Sequence, residues 1–202
     1  EEKFDTGHTV AVKSALNFIP QDIINNFLDT CEKLNKEEYK LLQEYSSQIE
    51  HNDSTNREGH SAKVYFSSLF GNDFSRNKEN SLNAFLNYGY QILLSTFNKE
   101  IVANGYLTQI GLFHKNMFNY YNLSSDLMEP FRVIIDELAY KENPQKFEKD
   151  EKRKLQNILN FKYRINENNH YLSEVIKIYT KSIFDALNSN DLSLVRFFTD
   201  EL

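Results

Sequence analysis

The chain has 202 residues, of which 40% are hydrophobic and 26% charged, ordinary values for a globular protein that exclude disorder of the whole chain. At about 150 residues per domain, one compact domain is the simplest interpretation. The formal net charge of -6 argues on its face against a generic nucleic-acid binder, because such proteins usually carry a basic excess.

Cysteine content and hydropathy restrict the class of protein and its cellular compartment. The single cysteine, Cys31, excludes an intramolecular disulfide and any site built from several cysteines. Every apolar run is shorter than the roughly 20 residues that span a bilayer, and the first residues carry no signal-peptide pattern. We therefore expect a soluble, cytoplasmic protein without a membrane partner.

Apolar side chains recur every three or four residues, and the chain has only 6 Gly and 3 Pro, so the sequence predicts an all-α fold. Pro20 suits the first turn of an early helix, and residues 36–50 carry an apolar stripe. Asn56 is the expected N-cap of a helix from about 57 to 70, which Gly71 ends.

The longest predicted helix opens at Asn80 or Ser81 and stops at Gly105. It is apolar on nearly all sides, which predicts a central position. A further helix is expected from about 124 to 140. A charged connection follows it, and two more helices are predicted, near 151–162 and 171–188.

The predicted helix over 124–140 has a polar side opposite its apolar side. Asp126 and Glu129 lie one turn apart there, with Arg132 and Asp136 on the same side. Carboxylates held on a rigid element suit a hard divalent cation. The same spacing also describes a solvated acidic face with an i,i+3 ion pair between Glu129 and Arg132. Spacing alone leaves both interpretations open.

The sequence lacks the motifs of several catalytic classes. The five histidines form no H-E-x-x-H pair, and the chain has no G-x-x-x-x-G-K-[ST], G-x-G-x-x-G or G-x-S-x-G sequence. By itself, His114 fits a structural role. Glu58 is favoured near a helix N-terminus by the helix dipole alone.

Three segments change this interpretation when they are taken in order: TNREGHSAKVYFSSLFGNDFSR (55–76), SLNAFLNYGYQILLS (81–95) and GYLTQIGLFHKNMFNYYNLSSDLMEPFR (105–132). Together they closely resemble the CRISPR-associated protein one family, the integrase of CRISPR adaptation, and are most similar to its subtype II-A branch. The resemblance is close over about 54–140 and looser to the end of the chain.

The resemblance implies a helical, metal-dependent catalytic domain over residues 54–202. Residues 1–53 form a helical segment that matches the family poorly, within one compact domain. Nothing in the chain resembles the family's β-rich N-terminal domain.

The resemblance also implies an active site. Glu58, His114 and Glu129 match the family's catalytic metal ligands, and Asp126 matches an auxiliary acidic position. One imidazole and two carboxylates suit Mn²⁺ or Mg²⁺ better than a closed structural zinc site. The implied activity is that of a DNA integrase and endonuclease, which joins the 3′-hydroxyl ends of foreign DNA to a CRISPR repeat by transesterification.

Basic residues near these positions are the candidate phosphate contacts: Arg57, Lys63, Arg76, Lys115 and Arg132. Residues 119–122 are candidates for contact with the DNA backbone or a base, and a packing role fits Tyr120 and Tyr121 equally well. Residues 146–164 carry seven basic and three acidic residues, a local excess of +4 that suits a DNA track and offsets the overall acidity.

The implied partners are protospacer DNA, the CRISPR leader-repeat, CRISPR-associated protein two and, in the full-length protein, a second copy of the chain. The alternative is a non-catalytic helical scaffold or regulator of adaptation with the same fold. A scaffold has no need for Glu58, His114 and Glu129 together, which is the feature that separates the two interpretations.

Overall fold

The computed structural model describes residues 57–199, except for the side chains of residues 57, 58, 61 and 199. Several predictions lie outside the described residues: the helix at Pro20, the stripe over 36–50, the Asn56 cap and the surroundings of Cys31.

Helices dominate the described part of the chain, and the prediction of an all-α class is confirmed. Six α-helices follow one another: α1 (Arg57–Phe70), α2 (Ser81–Ala103), α3 (Asn122–Met128), α4 (Arg132–Glu142), α5 (Lys149–Gln156) and α6 (Leu172–Ser189). Within residues 57–199, none of them is long and apolar enough to cross a membrane.

The long helix α2 is the centre of the fold, as predicted. Its N-cap is Asn80, whose side chain accepts a hydrogen bond from the backbone N–H of Asn83 at 2.8 Å. Phe85, Leu93 and Phe97 of this helix are fully buried. Helices α3, α4, α5 and α6 all pack on α2, because its apolar side chains point in several directions.

The segment over 124–140 is not one helix, and the prediction of a continuous helix is wrong there. Helix α3 ends at Met128, a 3₁₀ turn spans Glu129–Phe131, and α4 starts at Arg132. Pro130 is the physical reason: its ring clashes with the preceding turn, and it has no N–H to donate. The break places Glu129 at the junction between two short helices.

The second half of the fold contains a small sheet that the sequence patterns did not predict. The helix expected near 151–162 is α5, which passes into a 3₁₀ turn over Asn157–Asn160. Strand β1 (Lys162–Ile165) then pairs antiparallel with β2 (Asn168–Tyr171), with Tyr163 opposite His170. Strand β3 (Phe198–Thr199) pairs with the other edge of β1, so that the order is β2-β1-β3.

Aromatic rings join the centre of the core to helix α6 and the sheet. The Phe131 ring centroid lies 5.0 Å from that of Phe97, 5.1 Å from that of Tyr179 and 4.6 Å from that of Phe198. Phe131 directly follows Pro130, so burial of this ring fixes the junction that carries Glu129.

Candidate metal centre

Asp126, on helix α3, holds the His114 ring. The Asp126 Oδ1 atom lies 2.5 Å from His114 Nδ1, and the Asp126 side chain is only 7% exposed whereas that of His114 is 39% exposed. Because Nδ1 is engaged by a carboxylate, a metal bound to this imidazole would use Nε2. Carboxylate, histidine and metal in this order are the usual arrangement at metal-binding histidines.

The same carboxylate also binds the backbone on which His114 sits. Asp126 Oδ2 accepts hydrogen bonds from the N–H groups of Leu112 at 2.6 Å and Phe113 at 3.0 Å, and Oδ1 accepts one from the N–H of His114 at 3.1 Å. One side chain therefore fixes both the path of residues 112–114 and the orientation of the imidazole.

These hydrogen bonds determine the charge of Asp126. Burial by itself would raise the pKa of this carboxyl, but the hydrogen bonds from His114 and from the backbone N–H groups of Phe113 and His114 lower the pKa below its usual value. Asp126 is therefore an anion at neutral pH and supports a ligand imidazole electrostatically.

The loop that carries His114 is anchored to the start of α3 by Asn122. Its Nδ2 donates to the carbonyl of Gln109 at 3.0 Å and to that of Asn116 at 2.9 Å. Asn122 is buried, so the suggestion that residues 119–122 contact DNA does not hold for this residue. Its amide has a positioning role that the sequence alone did not reveal.

Gly111 allows the loop to pass close to α3. A Cβ atom at this position would lie 2.3 Å from the carbonyl oxygen of His114 and 2.8 Å from Asp126 Oδ2. No larger residue fits without moving the backbone that carries the imidazole. Gly111, three residues before His114, is therefore required for the contact between Asp126 and His114.

Glu129 forms the i,i+3 ion pair that the spacing suggested. Its Oε1 lies 2.9 Å from Nη2 of Arg132, and the two side chains are 28% and 36% exposed. The Arg132 guanidinium also lies over the Tyr90 ring, with Cζ 4.9 Å from the centroid. Oε1 of Glu129 is thus held by a cation.

Glu58 and Arg57 lie in the first turn of α1, and their side chains are outside the described part of the structure. The predicted convergence of Glu58 with His114 and Glu129 therefore stays a prediction. Among the side chains that are described, no group of three His, Cys, Asp or Glu is arranged to hold a metal ion.

The other basic candidates differ in how firmly they are held. Arg76 donates from Nη1 to Asn83 Oδ1 at 2.7 Å and from Nη2 to Asn87 Oδ1 at 2.5 Å, whereas Lys63 and Lys115 are exposed. In the stretch 146–164, Lys146 and Lys154 form ion pairs with glutamates. The local excess of +4 is thus partly neutralised by neighbouring carboxylates.

Sequence reasoning placed Asp136 on the polar side of its helix, but this residue is buried. Its carboxylate accepts hydrogen bonds from the hydroxyls of Tyr90, on α2, and Tyr65, on α1, the latter at 3.0 Å. The helical spacing gave no signal of this burial of Asp136. Its partners come from two other helices and could not be identified from local spacing.

Comparison with known proteins identifies the family. A family model described as CRISPR associated protein Cas1 matches residues 17–165. A protein named CRISPR-associated endonuclease Cas1, from Neisseria meningitidis serogroup C (strain 8013), is 36% identical over 120 residues, which are 59% of this chain and 40% of the relative. CRISPR-associated endonuclease Cas1 1 of Francisella tularensis subsp. novicida (strain U112) is 33% identical over 100 residues, 45% of this chain and 31% of the relative. The chain thus spans well under half the length of these two relatives.

Solved structures share the fold. A Cas1 protein from Thermotoga maritima superposes with a TM-score of 0.70 at 14% identity, over 93% of this chain and 66% of that one. A casposase bound to its integration product has a TM-score of 0.63 at 21% identity, over 94% of this chain and 63% of that one. A chain of a partial Cas6-RT-Cas1–Cas2 complex has a TM-score of 0.71 at 14% identity, over 99% of this chain and 69% of that one. Because the family model covers well over half of the chain, the protein belongs to the Cas1 family of CRISPR-associated proteins.

Proposed function

We propose that this chain carries the active site of a divalent-metal-dependent DNA integrase and endonuclease that acts in CRISPR spacer acquisition. Its ligands would be Glu58, His114 and Glu129, with Mn²⁺ or Mg²⁺ as the cation. The observation that carries the proposal is the contact of 2.5 Å between Asp126 and His114 Nδ1, in a chain of the Cas1 family.

The described residues fit a cation of this kind. With Nδ1 held by Asp126, His114 would bind the cation through Nε2, and Glu129 would bring a carboxylate from the start of the 3₁₀ turn that Phe131 anchors. When bound, the cation would polarise a phosphoryl oxygen and stabilise the charge that develops during transesterification.

The chain's own residues would perform the remaining tasks. Asp126 keeps the imidazole oriented and favours a proton on Nδ1, and Arg132 orients Glu129 through its ion pair. The attacking group in the proposed reaction is the 3′-hydroxyl of the incoming DNA, so that no protein nucleophile is required. Arg57, Lys63, Arg76, Lys115 and Arg132 are the proposed phosphate contacts.

Two partners belong to the same proposal. The solved relatives include a casposase bound to an integration product and a complex that contains Cas1 and Cas2. By likeness, we propose protospacer and leader-repeat DNA as substrates and CRISPR-associated protein two as the assembly partner, with a homodimer in the full-length protein. The negative net charge is compatible with this, because cation binding neutralises some of the acidic groups.

The direct test is strand transfer by this chain with CRISPR-associated protein two, a repeat-containing target and Mn²⁺ or Mg²⁺. We expect Glu58→Gln, His114→Ala and Glu129→Gln each to lower the rate at least about 100-fold. His170→Ala, on the β-hairpin, and Glu137→Gln, which removes an exposed ion pair with Lys141, are the matched controls and should retain the rate.

Equal rates for the ligand variants and the unmodified chain would contradict the site assignment. Binding to CRISPR-associated protein two without any metal-dependent DNA chemistry would favour the alternative, a non-catalytic scaffold or regulator with the same fold.

A further inference from the structure

Two buried side chains, Tyr90 and Asp136, and the half-buried Tyr65 form a polar cluster next to the candidate metal centre, which we call the tyrosine–aspartate cluster. Asp136 is 3% exposed and accepts hydrogen bonds from both tyrosine hydroxyls, one on each carboxylate oxygen. Its members come from α1, α2 and α4, so the cluster ties together three helices. Glu58 lies in the first turn of α1, and Glu129 lies in the 3₁₀ turn that precedes α4.

The protonation states in the cluster are defined by burial and charge. Burial, with the Asp136 charge, raises the pKa of both tyrosines well above the usual value, so that both keep their protons and donate. Burial raises the pKa of Asp136 to about 6, although the two tyrosine hydrogen bonds and the charges of Arg132 and Arg76 oppose this shift. Asp136 is thus mostly ionised at neutral pH.

The Tyr90 ring connects the cluster to the candidate site. Arg132 Cζ lies 4.9 Å and Arg76 Cζ lies 5.4 Å from its centroid, so two guanidiniums are held against one ring. Arg132 in turn places Nη2 2.9 Å from Oε1 of Glu129. A continuous series of contacts therefore runs from Asp136 through Tyr90 and Arg132 to Glu129.

This arrangement is costly for folding. A carboxylate is buried in ionised form, and Arg132 Nε is buried without a hydrogen-bond partner among the described residues. Packed apolar residues at these positions would avoid both penalties. Costs of this kind are concentrated at functional sites, where geometry matters more than stability.

We propose that Tyr90 is a positioning residue for the metal centre: its ring holds the Arg132 guanidinium, which orients the Glu129 carboxylate, while Asp136 and Tyr65 hold Tyr90 in place. The inference rests on the proposed function, since Glu129 is taken as a metal ligand. It adds Tyr65, Tyr90 and Asp136, none of which is among the proposed metal ligands or phosphate contacts.

The test is the dissociation constant for Mn²⁺, measured by electron paramagnetic resonance on the 202-residue chain without DNA. Tyr90→Leu removes the ring, so we expect Mn²⁺ affinity to fall about 10-fold, the lower end of the range for residues that support metal ligands. Tyr90→Phe removes only the hydroxyl, so we expect a smaller loss of about 3-fold. Tyr163→Phe, a buried tyrosine of β1, is the matched control and should leave the affinity unchanged. Circular dichroism checks that each variant is folded. The milder Tyr90→Phe is informative even where Tyr90→Leu does not fold.

A combination of variants tests the route through Arg132. Arg132→Lys keeps the charge but cannot present a planar group to the ring and the carboxylate together. We expect Tyr90→Leu to weaken Mn²⁺ binding in the unmodified chain and to have no further effect in the Arg132→Lys background. The same fold-loss in both backgrounds would overturn the proposed route.

The outcomes separate this inference from the proposed function. If His114→Ala abolishes Mn²⁺ binding while Tyr90→Phe and Tyr90→Leu leave it unchanged, the positioning role is wrong and the metal site stands. If His114→Ala has no effect, or the unmodified chain binds no Mn²⁺, the metal site is wrong and the positioning role falls with it.

Discussion

The contact between Asp126 and His114 yields a quantitative prediction for Asp126→Asn. The asparagine keeps one carbonyl oxygen, so it can accept hydrogen bonds on only one side, whereas the carboxylate accepts on both. The substitution leaves about two donors without an acceptor and removes the charge. A hydrogen bond to a charged group contributes about 1.5–3 kcal/mol, so the loss of two such bonds should lower the free energy of unfolding by about 3–6 kcal/mol at pH 7.

The pH dependence of this loss follows from the pKa of Asp126, which is lower in the folded chain than its usual value. A depressed carboxyl pKa stabilises the fold above the unfolded-state pKa of about 4, and this contribution is lost as the pH falls through the folded-state pKa. The difference between the unmodified chain and Asp126→Asn should therefore be full at pH 6–7 and decrease below about pH 4.

The assay is urea unfolding of both proteins across this pH range, with Asp191→Asn as the matched control. Asp191 is exposed and caps the short turn at Ser193 through one backbone N–H at 2.9 Å. Its loss should cost under about 1 kcal/mol. An effect of Asp126→Asn no larger than that of Asp191→Asn, or one independent of pH, would refute the assigned hydrogen bonds.

Three stability predictions concern the scaffold and are measured by the same urea unfolding. Gly89→Ala should destabilise the chain by about 1–2 kcal/mol, because the new Cβ would lie 2.5 Å from Cγ2 of Ile135. This overpacking outweighs the gain in helix propensity. A more stable variant would contradict the close packing of α2 on α4. Asn80→Ala removes the side-chain cap of α2 and should cost about 1 kcal/mol, whereas no change would show that the cap contributes nothing. Tyr106→Ala removes a ring stacked on Phe184 with centroids 3.7 Å apart and should cost about 2–3 kcal/mol; a loss below about 0.5 kcal/mol would contradict that stack.

Local sequence rules predicted much of the scaffold. The cap at Asn80 and the stop at Gly71, which has a φ of 91°, were foreseeable because each depends on one residue's conformational preference. The break at Pro130 follows from an equally local rule, yet the apolar periodicity on both sides of it suggested one helix.

The small sheet was harder to predict for a physical reason. Its strands have four residues or fewer, too short for an alternating pattern to stand out. The hairpin turn places Asn166 and Glu167 at φ values of 51° and 65° without any glycine, so the usual turn signal is missing.

The candidate site was only partly accessible from the sequence. The resemblance indicated His114, Asp126 and Glu129, but which atoms meet depends on a loop that folds back onto α3. The tyrosine–aspartate cluster is assembled from three separate helices, with Tyr65 and Asp136 71 positions apart in the sequence, and no local pattern encodes such a contact. Long-range polar contacts of this kind depend on tertiary packing.

The central claim is that Glu58, His114 and Glu129 bind one divalent cation. Anomalous diffraction from crystals of the chain grown with Mn²⁺ tests it most directly. The account predicts a single strong Mn²⁺ peak about 2.0–2.3 Å from Nε2 of His114 and from one carboxylate oxygen each of Glu58 and Glu129. A peak elsewhere, or His114 and Glu129 bound to different ions, would contradict it.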